Sequence, residues 1–124
     1  MLTSSVAAIT GHGSQEVGKI YTENDWTDTS SVPAYYKSKT LAEKAAWDFV
    51  KNLPEKDKFE LTVMNPAGVM GPALCGSPGA SMQSMMGILM KLVPKLRKLH
   101  VGIVDVRDVA TAHIIGMTHP EAAG

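Results

Sequence analysis

Tyr35 and Lys39 stand four residues apart in the run Tyr35-Tyr36-Lys37-Ser38-Lys39. On a helix that spacing puts both side chains on one face, one turn apart. A free phenol has a pKa of about 10 and is a poor acid at neutral pH. An ammonium a few ångströms away favours the phenolate and lowers that value. The pair is therefore a proton donor suited to a carbonyl oxygen. Tyr36 has Thr40, not a lysine, four residues on. Taken alone, the same residues also describe an amphipathic helix with two aromatics and two lysines.

Two further segments bear on the same chemistry. Ser4-Ser5 sits at the end of an apolar stretch, MLTSSVAAI, that reads as the end of a buried strand leading into a loop. A serine hydroxyl there can hydrogen-bond the same carbonyl oxygen and stabilise charge developing on it. Val63 to Pro72, VMNPAGVMGP, reads as a strand running into a rigid Pro/Gly turn. Open α/β sheets bind ligands at the carboxyl ends of their strands, and Ser5 and Asn65-Pro66 both fall at such ends.

These residues need elements to position them. Residues 10 to 33 form a polar, Gly-rich connection with Glu16, Glu23, Asp25 and Asp28 against Lys19. From Ala34 to Asn52 the pattern is helical, opened by Pro33, stopped by Pro54, and rich in Ala, Lys and Glu. Its apolar positions, Leu41, Ala45, Ala46, Phe49, Val50 and Leu53, recur at three and four residues and mark the expected core face. Phe59 to Met64 is a strand signal. Ala67 to Ala80, with Gly68, Gly71, Pro72, Gly76, Pro78 and Gly79, reads as a loop. Met82 to Leu96 reads as a Met-rich helix broken near Pro94, and His100 to Val104 as a short strand. Asp105 can cap a following helix, with Asp108 in the capping-box position, Val109, Ala112, Ile115 and Gly116 facing the core, and His119-Pro120 closing it. Strand and helix alternate, which predicts an α/β fold.

Composition narrows the classes. The chain has 124 residues, enough for one domain or part of one, with 44% apolar and 19% charged residues. That excludes a disordered or collagen-like chain. Lys plus Arg and Asp plus Glu are each 12. This balance gives no reason to expect nucleic acid or an acidic membrane as partner. Cys75 is the single cysteine, which suits a reducing compartment. No apolar stretch approaches the ~20 residues that span a bilayer, and the first residues lack the pattern of a signal peptide. The expectation is a soluble, cytoplasmic protein.

Some features carry less. Gly11-His12-Gly13-Ser14-Gln15-Glu16 opens like GxGxxG but ends in Glu16 and precedes no apolar helix, so it fails as a phosphate cradle. His12, His100, His113 and His119 share no metal-ligand spacing with Cys75 or with each other. Met82, Met85, Met86 and Met90 can fill the core or line a pocket, the core being favoured. Lys91, Lys95, Arg97 and Lys98 read as a solvated basic face, with an anionic ligand as the alternative.

In combination the segments resemble the extended short-chain dehydrogenase/reductases, in the branch of dihydroflavonol 4-reductases and related aldehyde and ketone reductases. The stretches that carry the resemblance are Leu2 to Ser5, Tyr21 to Asp28, Tyr35 to Trp47, Asn65 to Pro72 and Val104 to Ala110, in family order. The resemblance implies reduction of a small-molecule carbonyl, with NADPH favoured over NADH. It implies Tyr35 as general acid, Lys39 as the group that tunes it and holds the nicotinamide ribose, and Ser5 as the carbonyl-binding serine. Pro66 resembles the residue beside the nicotinamide carboxamide, or is a turn former. Ser81 falls at a further cofactor contact, or is a helix cap ahead of Met82. Thr10 falls near a substrate-contacting position. No metal is implied. Cinnamoyl-CoA reductases carry a different segment around the tyrosine from Val32-Pro33-Ala34-Tyr35-Tyr36, which disfavours that substrate. Sugar-nucleotide epimerases usually have Gly where Tyr36 stands.

The family's Gly-rich phosphate loop is not found before Ser5. The expected architecture for residues 1 to 124 is therefore the second half of a Rossmann-type parallel sheet domain plus part of a substrate-binding lobe, as a fragment incomplete at both ends. The rival expectation is a non-catalytic remnant that acts as an interaction module.

Overall fold

The computed structural model of the chain describes residues 1–11, 18–95 and 101–123. His12, His100, positions 13 to 16 of the Gly11–Glu16 motif and the Arg97-Lys98 end of the basic cluster lie outside them.

The longest element is helix α1, Ala34–Asn52. Pro33 takes the cap position in extended backbone, and its carbonyl accepts the first helical bond from the Lys37 N–H at 3.2 Å. Leu53 leaves the helix in extended backbone, the conformation that a following proline favours. The buried stripe of α1 is not the apolar one. Thr40 and Glu43 are buried, while Leu41 and Phe49 are exposed. Thr40 can be fully buried because its hydroxyl donates back to the Tyr36 carbonyl at 2.8 Å.

Strand β1, Leu2–Thr3, pairs in parallel with β2, Val63–Met64. Helix α1 is the crossover between them, so β1–α1–β2 is one βαβ unit. The Phe59 to Met64 signal thus yields a strand only at its end. The ladder continues past both strands: Leu2, Ser4 and Val6 donate to the carbonyls of Thr62, Met64 and Pro66. Beyond Ser5 the chain turns into a 3-10 turn, Val6–Ala8, on which α1 packs. Ala7, Ala8 and Leu61 are the buried apolar residues among those described.

A second βαβ unit follows. Strand β3, Gly68–Met70, pairs in parallel with β4, Ile103–Asp105, and helix α2, Ala80–Leu89, lies between them in sequence. The sequence predicts loop throughout residues 67 to 80, so β3 is a correction. Gly68 is tolerated there because the Gly102 carbonyl lies 3.2 Å from where its Cβ would stand. Gly71 ends β3 at φ +133°, and a Cβ on it would meet Val106 Cγ1 at 2.7 Å. Helix α2 also ends earlier than Leu96. Lys91 takes a left-handed conformation at φ 57°, and the Leu92 N–H bonds the Gly87 carbonyl at 2.9 Å, closing the helix as a glycine would. Met86 and Met90 are exposed rather than core.

Helix α3, Val106–Thr118, follows β4 directly and ends at His119. Gly116 is buried where a side chain would meet Met1, Met64 and Thr62, which lets α3 approach β2 closely. Ile115, expected in the core, is exposed. Asp105 caps α3 by accepting the Arg107 N–H at 2.8 Å. Asp108 makes no reciprocal bond among the described residues; the Arg107 guanidinium instead grips both Asp105 oxygens, at 2.9 and 2.6 Å. These bonds, first the side-chain one, hold the Asp105 carboxyl down from 3.8 to about 2. A depressed carboxyl stabilises the fold above its unfolded value and loses that contribution as pH falls toward its folded value. The α3 cap should therefore be constant from neutral pH to about 4 and fade between about 4 and about 2. Acid unfolding followed by circular dichroism, compared with Asp105→Asn, checks this. The variant should lose the part of the acid dependence that lies in that window, and an unchanged profile would remove Asp105 as its source.

Candidate active site

Of the six residues singled out by the sequence, Ser5 and Lys39 lie at the carboxyl end of β1, and Tyr35 precedes Lys39 by one turn of α1. The Lys39 Nζ on α1 donates to the Thr3 carbonyl at 3.2 Å. Ser5 follows two residues later and is 8% exposed. Tyr35 lies one helical turn before Lys39 and is 59% exposed, with its ring edge-on to that of Tyr36 at 6.1 Å. The helix carries the phenol and the ammonium, and the strand end carries the serine.

The Ser5 hydroxyl accepts the Ala7 N–H at 3.2 Å, capping the 3-10 turn. That bond uses a lone pair, so the O–H remains a donor. Ser4 is buried, and its hydroxyl has no partner among the described residues. Thr10 returns its hydroxyl to the Val6 carbonyl at 3.1 Å, within the same turn. Pro66, at the end of β2, accepts the Val6 N–H at 3.2 Å. Ser81 is inside the first turn of α2, and Gly79 holds the cap position, so Ser81 is not a helix cap. No hydrogen bond among the described residues joins Ser81 to Ser5, Tyr35 or Lys39.

The supports of this cluster were not legible in the sequence. His113 on α3 holds Thr3 by its side chain, Nε2 lying 2.7 Å from the Thr3 hydroxyl. The His113 Nδ1 lies 2.8 Å from the Val109 carbonyl, which only accepts, so Nδ1 carries a hydrogen. In the neutral ring Nε2 then accepts from Thr3. Thr27, 3% exposed, donates to the Ala7 carbonyl at 2.8 Å and accepts the Gly11 N–H at 2.7 Å. It pins the acidic connection beside the 3-10 turn, helped by the Lys44 ammonium 5.0 Å from the Trp26 ring. Glu43 and Asn65 are joined at 2.8 Å. The His113–Thr3 and Glu43–Asn65 pairings each join separate elements of the fold, and no local motif announces either.

Among the described residues, no cluster of three His, Cys, Asp or Glu could hold a metal ion, and no helix is long and apolar enough to cross a membrane. A cavity of about 320 Å³, lined by Met70, Gly71, Ile103, Val104 and Asp105, opens at the carboxyl ends of β3 and β4. Parallel βαβ units with polar chemistry gathered at strand ends define the class, a Rossmann-type α/β protein.

No family model matches the chain. Individual relatives do. The NADPH-dependent methylglyoxal reductase GRE2 of Saccharomyces cerevisiae is 34% identical over 138 residues, covering 100% of this chain and 40% of the relative. Cinnamoyl-CoA reductase CAD2 of Medicago truncatula is 33% identical over 129 residues, covering 100% of this chain and 38% of the relative. The crystal structure of yeast methylglyoxal/isovaleraldehyde reductase Gre2 complexed with NADPH superposes with a TM-score of 0.84 at 34% identity, over 99% of this chain and 40% of that one. The chain thus spans about 40% of the length of the relatives it matches. By sequence and fold it is similar, over its whole length, to extended short-chain dehydrogenase/reductases of the NAD-dependent epimerase/dehydratase superfamily.

Proposed function

We propose that the protein is part of an NADPH-dependent carbonyl reductase in which Tyr35 is the general acid. The observation that carries this reading is the Lys39 ammonium on the Thr3 carbonyl, two residues before Ser5 and one helical turn after the exposed Tyr35. A phenol O–H and a serine O–H on two sides of one point can both donate to a single carbonyl oxygen. As negative charge grows on that oxygen, Tyr35 gives it a proton and Ser5 holds it by a hydrogen bond.

NADPH supplies the hydride when bound. The donor set fits its nicotinamide ribose: Lys39 brings three ammonium donors and Tyr35 a hydroxyl that both donates and accepts. Pro66, at the adjacent strand end, is the expected neighbour of the nicotinamide carboxamide, and Ser81 a further cofactor contact on α2. Thr10, just beyond the 3-10 turn and bonded to the Val6 carbonyl, is the expected substrate neighbour. The pyrophosphate has no matching cradle in the chain, because the Gly11–Glu16 run fails the Gly-rich pattern at Glu16.

The relatives support small aldehydes and ketones as substrates. The test is NADPH consumption with methylglyoxal and with isovaleraldehyde by a protein spanning the full length of the relatives and containing this chain, followed by absorbance, with product alcohol identified by mass. Turnover of either is the expected result. A folded protein that consumes NADPH with neither, and binds none, would overturn the reductase reading and favour the remnant with an interaction role.

A further inference from the structure

The Asn65 side chain bridges the two elements on which the candidate site is built. Its Nδ2 lies 3.1 Å from the Ser5 carbonyl and 2.8 Å from Glu43 Oε2. A carbonyl and a carboxylate only accept, so the amide must present its NH₂ group to both. Glu43 is buried on α1, the helix that carries Tyr35 and Lys39. Ser5 caps the 3-10 turn beyond β1, and Asn65 itself follows β2. One carboxamide therefore ties the helix, the serine turn and the second strand together at one point.

We propose that Asn65 is a positioning residue: it fixes where the Ser5 hydroxyl stands relative to the tyrosine and lysine of α1. The proposal rests on the reductase reading for its effect on turnover, but its geometric content does not. Backbone ladder bonds hold Ser4 and Val6 on either side, from Met64 and Pro66. The Ser5 carbonyl between them accepts two bonds, from the Ala8 N–H at 2.9 Å within the turn and from the Asn65 amide at 3.1 Å across to the second strand. Losing the Asn65 bond leaves the Ser5 carbonyl with the Ala8 bond alone and loosens the tie of the turn to α1 and β2, and the bond from the Ala7 N–H to Ser5 Oγ reports the arrangement. The Glu43 end of the bridge sets the height of the turn on α1.

The two halves of the bridge can be separated by exchange. Asn65→Asp alone places two carboxylates together and removes both donors. Glu43→Gln with Asn65→Asp restores a bond between α1 and the strand end, because the new glutamine amide donates to the new carboxylate. It cannot restore the bond to the Ser5 carbonyl, since the introduced carboxylate has no donor at neutral pH. Glu43→Gln alone keeps an acceptor for Asn65 and leaves the Ser5 bond in place.

Three readouts are taken on the protein and these variants: thermal midpoint, the amide proton shift of Ala7 by NMR, and turnover with NADPH and methylglyoxal. The double variant should recover most of the midpoint lost by Asn65→Asp. Its Ala7 signal should stay displaced, and its turnover should stay roughly ten- to hundredfold down, the scale of a misplacement on the order of 1 Å. Glu43→Gln should keep the parental Ala7 signal and near-parental turnover. If turnover and the Ala7 signal return together with the midpoint, Asn65 is a stability residue and the proposal is overturned. If Asn65→Asp does not fold, the double variant against Glu43→Gln makes the same comparison. A parent without turnover would sink the reductase reading instead, and the Ala7 signal would still decide whether Asn65 sets the serine turn.

Discussion

In a protein spanning the full length of the relatives, Tyr35→Phe should cut carbonyl reduction by roughly 10²–10⁴-fold while NADPH still binds, because the proposed general acid can no longer protonate the developing alkoxide. Removing one oxygen leaves the ring and its edge-on contact with Tyr36 in place. Tyr35 is more than half exposed, so the loss of its hydroxyl should leave the thermal midpoint near the parental value. Tyr36→Phe is the control. Tyr36 is half-buried, and its carbonyl, not its side chain, receives the Thr40 hydroxyl. Its four-residue neighbour is Thr40, which brings no charge to the site. The measurements are steady-state reduction of methylglyoxal and fluorescence titration of NADPH for each variant. Crippled turnover in Tyr36→Phe with near-parental turnover in Tyr35→Phe would reverse the assignment of the catalytic tyrosine, and the roles given to Ser5 and Lys39 would go with it.

Helix α1 was legible to its boundaries because local chemistry sets them. Pro33 and Pro54 bracket a run of good helix formers, and nothing distant competes. Its buried face was not legible. Periodicity chose Leu41, Ala45 and Phe49, whereas the turn beyond β1 packs on the Thr40–Glu43 side. The polar residues on that side are buried because each finds a partner: Thr40 the Tyr36 carbonyl, Glu43 the Asn65 amide. A hydrophobicity pattern cannot register such pairs. Strand β3 was hidden for the opposite reason. Gly68 and Gly71 look like breakers, yet one permits the close approach of the Gly102 backbone and the other the contact with Val106.

The site divides along the same line. The four-residue spacing of Tyr35 and Lys39 is a local signal and put both on one helix face. The placing of Ser5 at the end of β1, where Lys39 reaches the Thr3 carbonyl, depends on parallel pairing between β1 and β2, whose partners, such as Leu2 and Val63, lie at opposite ends of the βαβ unit. The sequence itself offered the Ser4-Ser5 pair at a strand end, and the resemblance to the reductases singled out Ser5. The same resemblance suggested Ser81, which lies on α2, in the second βαβ unit.

Lys39→Met should damage cofactor binding and turnover together, which separates it from Tyr35→Phe. The methionine keeps an apolar stem of similar reach and removes the ammonium. Hydrogen bonds to a charged group are worth about 1.5–3 kcal/mol, so NADPH affinity should fall by roughly ten- to a hundredfold if Lys39 holds the ribose. Turnover at saturating NADPH should fall as well, because a ribose that is no longer held leaves the nicotinamide misplaced. Lys39→Arg should not rescue fully, since a planar guanidinium replaces a compact point charge at the end of β1. The bond from Lys39 to the Thr3 carbonyl is partly exposed and also ties α1 to β1, which offers a purely structural role. The two roles predict different results. A structural tie lowers the thermal midpoint in Lys39→Met and leaves the NADPH titration unchanged. A ribose-holding lysine weakens the titration with the midpoint nearly unmoved. Parental NADPH affinity in a destabilised Lys39→Met protein would therefore remove Lys39 from the cofactor site and leave it as the strap between helix and strand.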